Sequence, residues 1–190
     1  MLKRRAIRLF CEAPVPYEIL NNCVNSARLA PSAANQQLIS YIIVDDEQLS
    51  SRVFDTLHWA KYIRPAGDPP PGYRPRAYIV VLTKSEAGYK DWVAYDVGLA
   101  VENMILVALE GGIGSCPIVD INTNRLSKLL HIPKEYVIPL VLALGYPDES
   151  PIVEEFTGSI EYWKDQESRL HVPKRQLKDI LHRNNFQYES

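Results

Sequence analysis

Four groups of residues in this 190-residue chain have types and spacing that could do chemistry. The first is Arg4-Arg5-Ala6-Ile7-Arg8. Three planar guanidinium forks, each able to donate paired charge-assisted hydrogen bonds, suit a phosphate. If the segment is helical, Arg4 and Arg8 stand one turn apart and converge on a single anion; a solvated basic terminus would have the same composition. The second group is Ala30-Pro-Ser-Ala-Ala-Asn-Gln-Gln37, where a hydroxyl and three primary amides supply donors and acceptors side by side. Ser and Asn are also ordinary turn residues. The third is Asp96-x-Gly-x-Ala-x-x-Asn103, followed by Gly111-Gly-Ile-Gly114-Ser-Cys-Pro117. Glycines there either let backbone approach a ligand closely or simply make a tight turn. They follow a helix and precede a strand, the reverse of the dinucleotide-binding order. The fourth group is Lys174-Arg175, a pair of cations far in sequence from the first.

The elements that must position these groups can be read from apolar periodicity and from Pro and Gly. Pro16 suits a first helical turn, and Ile19, Leu20, Val24, Ala27 and Leu29 predict a helix over 17–30 that stops at Pro31. Segments 38–44 and 77–82 read as strands, the first running into a helix start at Asp45-Asp46. Between them, residues 62–75 carry five prolines and two glycines and read as a long surface loop. From Trp92 to Glu110 the set Val93, Val97, Val101, Met104, Ile105, Ala108 and Leu109 predicts the longest, central helix, ended by Gly111-Gly112. Residues 115–119 and 136–144 are further strands, 150–170 reads as irregular, and a short helix is expected around Leu177, Ile180 and Leu181. This order predicts an α+β fold, with helices packed on a mixed sheet.

Composition narrows the function class. One domain over 1–190 is the expectation from length, and 46% apolar with 23% charged residues is a globular composition. With 21 basic and 23 acidic residues the formal charge is -2, which argues against a nucleic-acid or anionic-membrane binder acting through its overall field. The longest mostly apolar runs, such as 137–144, are far shorter than the ~20 residues of a membrane span. No membrane partner is expected. Glu12, Pro14 and Pro16 arrive before any signal-type apolar region, and three cysteines without a C-x-x-C pair fit a reducing compartment, so a cytoplasmic protein is expected. His58, His131, His171 and His182 lack metal-ligand spacing, and no metal site is expected.

Jointly the four groups resemble the nitroreductase family, whose members open with Arg-Arg-Ser-x-Arg and continue with Ala-Pro-Ser-x-x-Asn after the first long helix. The resemblance runs through 96–103, Gly112-Ile-Gly114-Ser-Cys-Pro117, Leu144-Gly-Tyr-Pro147 and Lys174-Arg175, and so spans most of the chain. It implies an FMN-dependent oxidoreductase that carries electrons from NAD(P)H to a small organic acceptor such as a nitroaromatic or quinone, by a ping-pong mechanism. By the same resemblance Arg4, Arg5 and Arg8 hold the FMN phosphate and ribityl chain with Lys174 or Arg175. Ser32, Asn35 and Gln37 meet the cofactor, and Pro117, Ile118 and Val119 present backbone to its ring. Ala6 stands where the family has serine, which removes one hydroxyl contact. The flavin carries the chemistry, and no protein nucleophile or base is assigned. The family fold implies a mainly antiparallel sheet, and a homodimer with exchanged arms in which both subunits build each site. Residues 150–170, containing Trp163, are the candidate arm. Trp59, Tyr62 and Tyr73, in or beside the proline loop, are candidates to stack on a planar substrate. A reductive-dehalogenation or flavin-consuming branch, or a non-catalytic FMN-binding protein, is the alternative reading.

Overall fold

Pro16 opens α1, Tyr17–Ala27, by accepting the Ile19 N–H at 3.0 Å. Leu20, Cys23 and Ala27 recur along one side of it and are buried. The helix ends earlier than the periodicity predicted: Leu29 and Ala30 bond back to Ser26 and Ala27 in single turns before Pro31, whose ring disfavours α geometry in the residue before it. The computed structural model describes residues 4–63, 67–85 and 91–186.

The expected strand near 38–44 is β1, Ile39–Val44. It leads into α2, Glu47–Phe54, whose N-cap Asp46 accepts the Leu49 N–H at 2.7 Å. Then come β2 (Ala77–Lys84), α3 (Asp91–Glu110), β3 (Gly114–Ile118), α4 (Thr123–Leu129) and β4 (Tyr136–Gly145). The sheet order is β1-β2-β4-β3 with every pairing antiparallel, so β1 and β3 are its two edges. On one face, α1 and α3 cover Ile79 and Val81 of β2 and Leu142 and Leu144 of β4. Strand alternation then turns Tyr78 and Val80 to the other face. This is the α+β architecture expected, helices on a mainly antiparallel sheet. Short α4 was not anticipated; Asn122 caps it by accepting the Arg125 N–H, and Leu126 is its single buried anchor.

Helix α3 has a mean hydropathy of 1.5 over Trp92–Glu110 and is by length and composition apolar enough to cross a membrane. Counting unbroken apolar runs missed this because Asp96, Glu102 and Asn103 interrupt the run. In the fold this helix buries Val93, Val97, Val101, Met104, Ile105 and Ala108 in the core.

The chain's contacts gather into two units, Met1–Glu149 and Ser150–Ser190. The stretch 150–170 is not irregular as expected: β5 (Ile152–Glu155) lies parallel to β7 (Leu170–Lys174), and β6 (Trp163–Lys164) pairs antiparallel with β7. Polar contacts do much of the holding. The His171 ring nitrogens lie 3.1 Å from Glu154 and 3.1 Å from Asp165, and Trp163 stacks on that ring at 4.3 Å. Burial pushes the Asp165 carboxyl up, but hydrogen bonds from Arg169 and His171 outweigh it and hold it well below the usual carboxylate range. The helix expected near Leu177 is a single 3-10 turn, Leu177–Asp179, closed by reciprocal capping between Gln176 and Asp179.

Candidate functional site

The Arg4–Arg8 segment is extended rather than helical, because its backbone N–H groups bond to distant parts of the chain and not within the segment. Ala6 forms a parallel bridge with Ser115, and the Ile7 N–H donates to the Ser115 carbonyl at 2.9 Å. The Arg8 and Leu9 N–H groups both donate to the Glu149 carboxylate, and Cys11 donates to the Tyr146 carbonyl at 2.9 Å. Two glycines make the close approach possible. A Cβ on Gly114 would sit 2.9 Å from the Ile7 side chain, and one on Gly145 would sit 2.8 Å from the Phe10 ring. These glycines face each other across β3 and β4, so the pair forms the floor on which the segment lies. The helical-turn convergence of Arg4 and Arg8 is therefore replaced by a strip about 13 Å long at ~3.3 Å per residue. Arg4 also approaches Glu102 of α3 at 3.8 Å, a contact too exposed to hold much. Beneath the strip, burial pushes the Cys116 thiol up to about 11, with the Arg8 charge opposing in part.

The amide-rich loop is held quite differently. Residues Ala34, Asn35 and Gln37 all adopt positive φ, at 50°, 53° and 51°. Non-glycine residues in this left-handed region cost of order 1–3 kcal/mol each and persist where the surroundings impose them. The imposing group is Asp96 of α3, which is 5% exposed and accepts the Ala33 N–H at 3.0 Å. The Ser32 hydroxyl accepts the Gln37 N–H at 3.2 Å, and the Gln37 amide reaches the Asn35 carbonyl at 3.3 Å. The second Asp96 oxygen is buried with no hydrogen-bond partner. Asp96, Ser32, Gln37, Arg28 and Tyr41 line a cavity of about 140 Å³ on the helix-covered face of the sheet. Tyr41 is driven up to about 12 by burial, so its phenol stays protonated at neutral pH. Asn103, from the same α3 motif, instead ties helices together by donating to the Ser26 carbonyl at 3.2 Å.

Residues 1–146 match the model of the Nitroreductase family. A relative from Archaeoglobus fulgidus bearing the name "Putative NADH dehydrogenase/NAD(P)H nitroreductase" is 31% identical over 159 residues, which is 80% of this chain and 86% of the relative. The chain belongs to the nitroreductase family. It is thereby an oxidoreductase of the nitroreductase class. An iodotyrosine deiodinase from Thermotoga neapolitana is 26% identical over 163 residues, covering 77% of this chain and 86% of that one. A solved structure of an FMN-dependent nitroreductase from Clostridium difficile shares the fold with a TM-score of 0.66 at 22% identity, over 97% of this chain and 96% of that one.

Within this nitroreductase the other sequence-selected residues fall as follows. Pro117 and Val119 are exposed at the β3 edge, while Ile118 between them is buried. Lys174 and Arg175 belong to the second unit, both exposed, with the Arg175 guanidinium donating to the Asp179 carbonyl at 2.6 Å. Tyr62 and Tyr73 are each 44% exposed, whereas Trp59 is 3% exposed and stacked on Phe54 at 5.5 Å between ring centres. Sequence reasoning overlooked two residues: Asp96 as the tether of the amide loop, and Glu149 as the anchor of the arginine segment. An acid standing inside an otherwise apolar helix face was the legible signal for Asp96. Nothing in the local sequence marked Glu149.

Proposed function

We propose that this protein binds FMN and passes electrons from NAD(P)H to a small organic acceptor, as a two-fold homodimer whose sites are each built from both subunits. The observation that carries the reading is the separation of the two polar groups within one chain. The arginine strip lies on the β3 edge and the amide loop precedes β1 at the opposite edge, with β2 and β4 between. Three strand spacings of ~4.8 Å put β1 and β3 about 14 Å apart across the sheet, and the strip, bridged to Ser115, lies beyond β3. The loop cavity, at about 140 Å³, is below the ~300 Å³ at which ligand clefts usually begin. A second copy supplies what one chain lacks, since two-fold symmetry brings each chain's strip to its partner's loop and repeats the site twice. The exposed apolar residues Tyr95 and Leu99 on α3, beside exposed Gly98, suit close packing of two such helices.

The residues fit the cofactor. An extended strip of guanidinium groups matches an elongated phosphate ester better than a point anion, with Lys174 or Arg175 as further cations. Ser32, Asn35, Gln37 and the unpartnered Asp96 oxygen supply the mixed donors and acceptors of a flavin's pyrimidine edge. FMN, when bound, supplies the hydride and electron chemistry. The chain's own work is to bind, orient and shield: backbone at Pro117, Ile118 and Val119 borders the ring, and Tyr62 and Tyr73 flank the acceptor. We propose also that 1–190 acts as a single functional domain, with 150–170 as the arm toward the partner, in the cytoplasm.

The test is direct. Purified protein should be yellow or become so with FMN, should release FMN and not FAD on heating, and should oxidise NADH or NADPH with a quinone. Double-reciprocal plots should be parallel, the pattern of two substrates using one site in turn. A protein that leaves FMN fluorescence unquenched at micromolar concentration contradicts the proposal. The deiodinase relative supports a second reading of the same site, with a halogenated phenol as acceptor. Turnover of a halotyrosine in preference to quinones and nitroaromatics would favour it.

A further inference from the structure

On the sheet face opposite the loop cavity, between α2 and the start of β2, lies a larger cavity of about 240 Å³. Three polar atoms on its lining residues are buried with no hydrogen-bond partner: the Ser50 hydroxyl, the Tyr78 hydroxyl and Nε of Arg74. Ser50 is 5% exposed and Tyr78 fully buried. Orphaned buried polar groups are rare in native proteins because each forfeits its hydration without compensation, so three on one cavity point to a missing occupant.

The donor set says what the occupant is. Arg74 can only donate, and its guanidinium carbon lies over the Phe54 ring, 4.0 Å from the centroid. Burial raises the Tyr78 phenol far above its ordinary range, with the Arg74 charge opposing and the Asp55 charge adding to the rise, so it too remains a donor. Ser50 adds a third hydroxyl donor. Of the other charges on the cavity, Arg76 is paired with Glu47 at 3.2 Å and Glu12 is exposed beside Gly72, so that Arg74 is a lining cation with no carboxylate paired to it among the described residues. We propose that this cavity binds a small carboxylate, held by Arg74, Ser50 and Tyr78. A ligand that also carries an ammonium group would meet Glu12 at the mouth. The volume corresponds to about eight waters at ~30 Å³ each, enough for a molecule of amino-acid size. Strand alternation puts Tyr78 on the face away from α1 and α3, so this cavity is separate from the loop cavity that those helices cover.

Propionate, alanine and inorganic phosphate are titrated by calorimetry into the FMN-saturated protein, alongside the double variant Ser50→Ala, Tyr78→Phe. Saturable binding of propionate or alanine is expected, stronger than that of phosphate, and about tenfold or more weaker in the double variant, in keeping with two lost hydrogen bonds. Because the deleted hydroxyls have no partner, the unliganded double variant should melt at or above the parent temperature. Absence of saturation by both carboxylates, preference for phosphate, or parental binding in the double variant overturns the proposal. So does a lowered melting temperature without carboxylate binding, which would mean that resident waters satisfy these groups.

Discussion

The arginine strip and the amide loop hold polar groups in place by opposite means. The strip is an extended segment whose backbone is bonded on several sides, to Ser115, Tyr146 and Glu149, and whose apolar residues Ile7 and Phe10 fill the space above two glycines. Its geometry is relaxed, and its precision comes from shape. The loop is strained, with three residues at positive φ, and one carboxylate on a neighbouring helix ties it down. A part fixed by packing is hard to displace, whereas a part held against its own backbone preference by its internal hydrogen bonds and a tie to one neighbouring carboxylate is poised to adjust when a ligand arrives. The difference suggests a division of labour: the strip anchors the cofactor's phosphate end and the loop adapts to its ring.

Breaking the anchor should have the largest effect. Arg8→Glu should weaken FMN binding by ~2–5 kcal/mol, as expected when one partner of a half-buried charge contact is removed, measured by fluorescence titration. Next comes Gly114→Val. Its side chain would collide with Ile7, costing ~1–3 kcal/mol of stability by thermal denaturation. It should also expose Cys116: in the parent this buried thiol, pushed up to about 11, should resist alkylation at pH 8, and in the variant it should react. Asp96→Ala should cost less, ~1–2 kcal/mol, and make the loop at 32–37 the first site of proteolysis, while Asp96→Asn, which keeps an acceptor for the Ala33 N–H, should protect it. The smallest effect is Ala34→Gly. Relief of the left-handed strain should exceed the entropy penalty of glycine and raise stability by ~0.5 kcal/mol, with FMN binding unchanged or slightly weaker. If Ala34→Gly destabilised the protein, the strained-loop half of the comparison would be wrong.

How much of this was legible in the sequence differs between the two parts for physical reasons. Helices α1 and α3 and strands β1, β2 and β4 announce themselves because a buried face imposes a period on the residues. The chemical character of the site was legible too, as clusters of guanidinium and amide groups. The conformation of the arginine segment was not, because its state is set by Ser115, Tyr146 and Glu149, residues more than a hundred positions away, and a spacing of four residues cannot distinguish a helical turn from two strand repeats. The glycines of the 111–117 motif left two readings open, close approach of backbone to a ligand or a tight turn; at Gly114 the absent side chain makes room for Ile7. Trp59 illustrates the limit for aromatic residues, since stacking on Phe54 in the interior and stacking on a substrate leave the same mark in a sequence. The stretch 150–170 was misread as irregular because its short strands rest on the polar contacts of His171, which carry no hydrophobic period.

Whether the two parts meet across a two-fold axis is settled most directly by complementation. One variant altered at Arg8 and another altered at Ser32 and Asn35, each deficient in FMN binding, are co-expressed with different tags, and the mixed dimer is isolated. If each site takes its arginine strip from one subunit and its amide loop from the other, both lesions collect in one site and the other is wholly parental, so the mixed dimer should bind one FMN and recover about half the parental activity. A verified mixed dimer that binds no FMN, or a chain that sediments as a monomer while retaining the cofactor, would contradict the shared site.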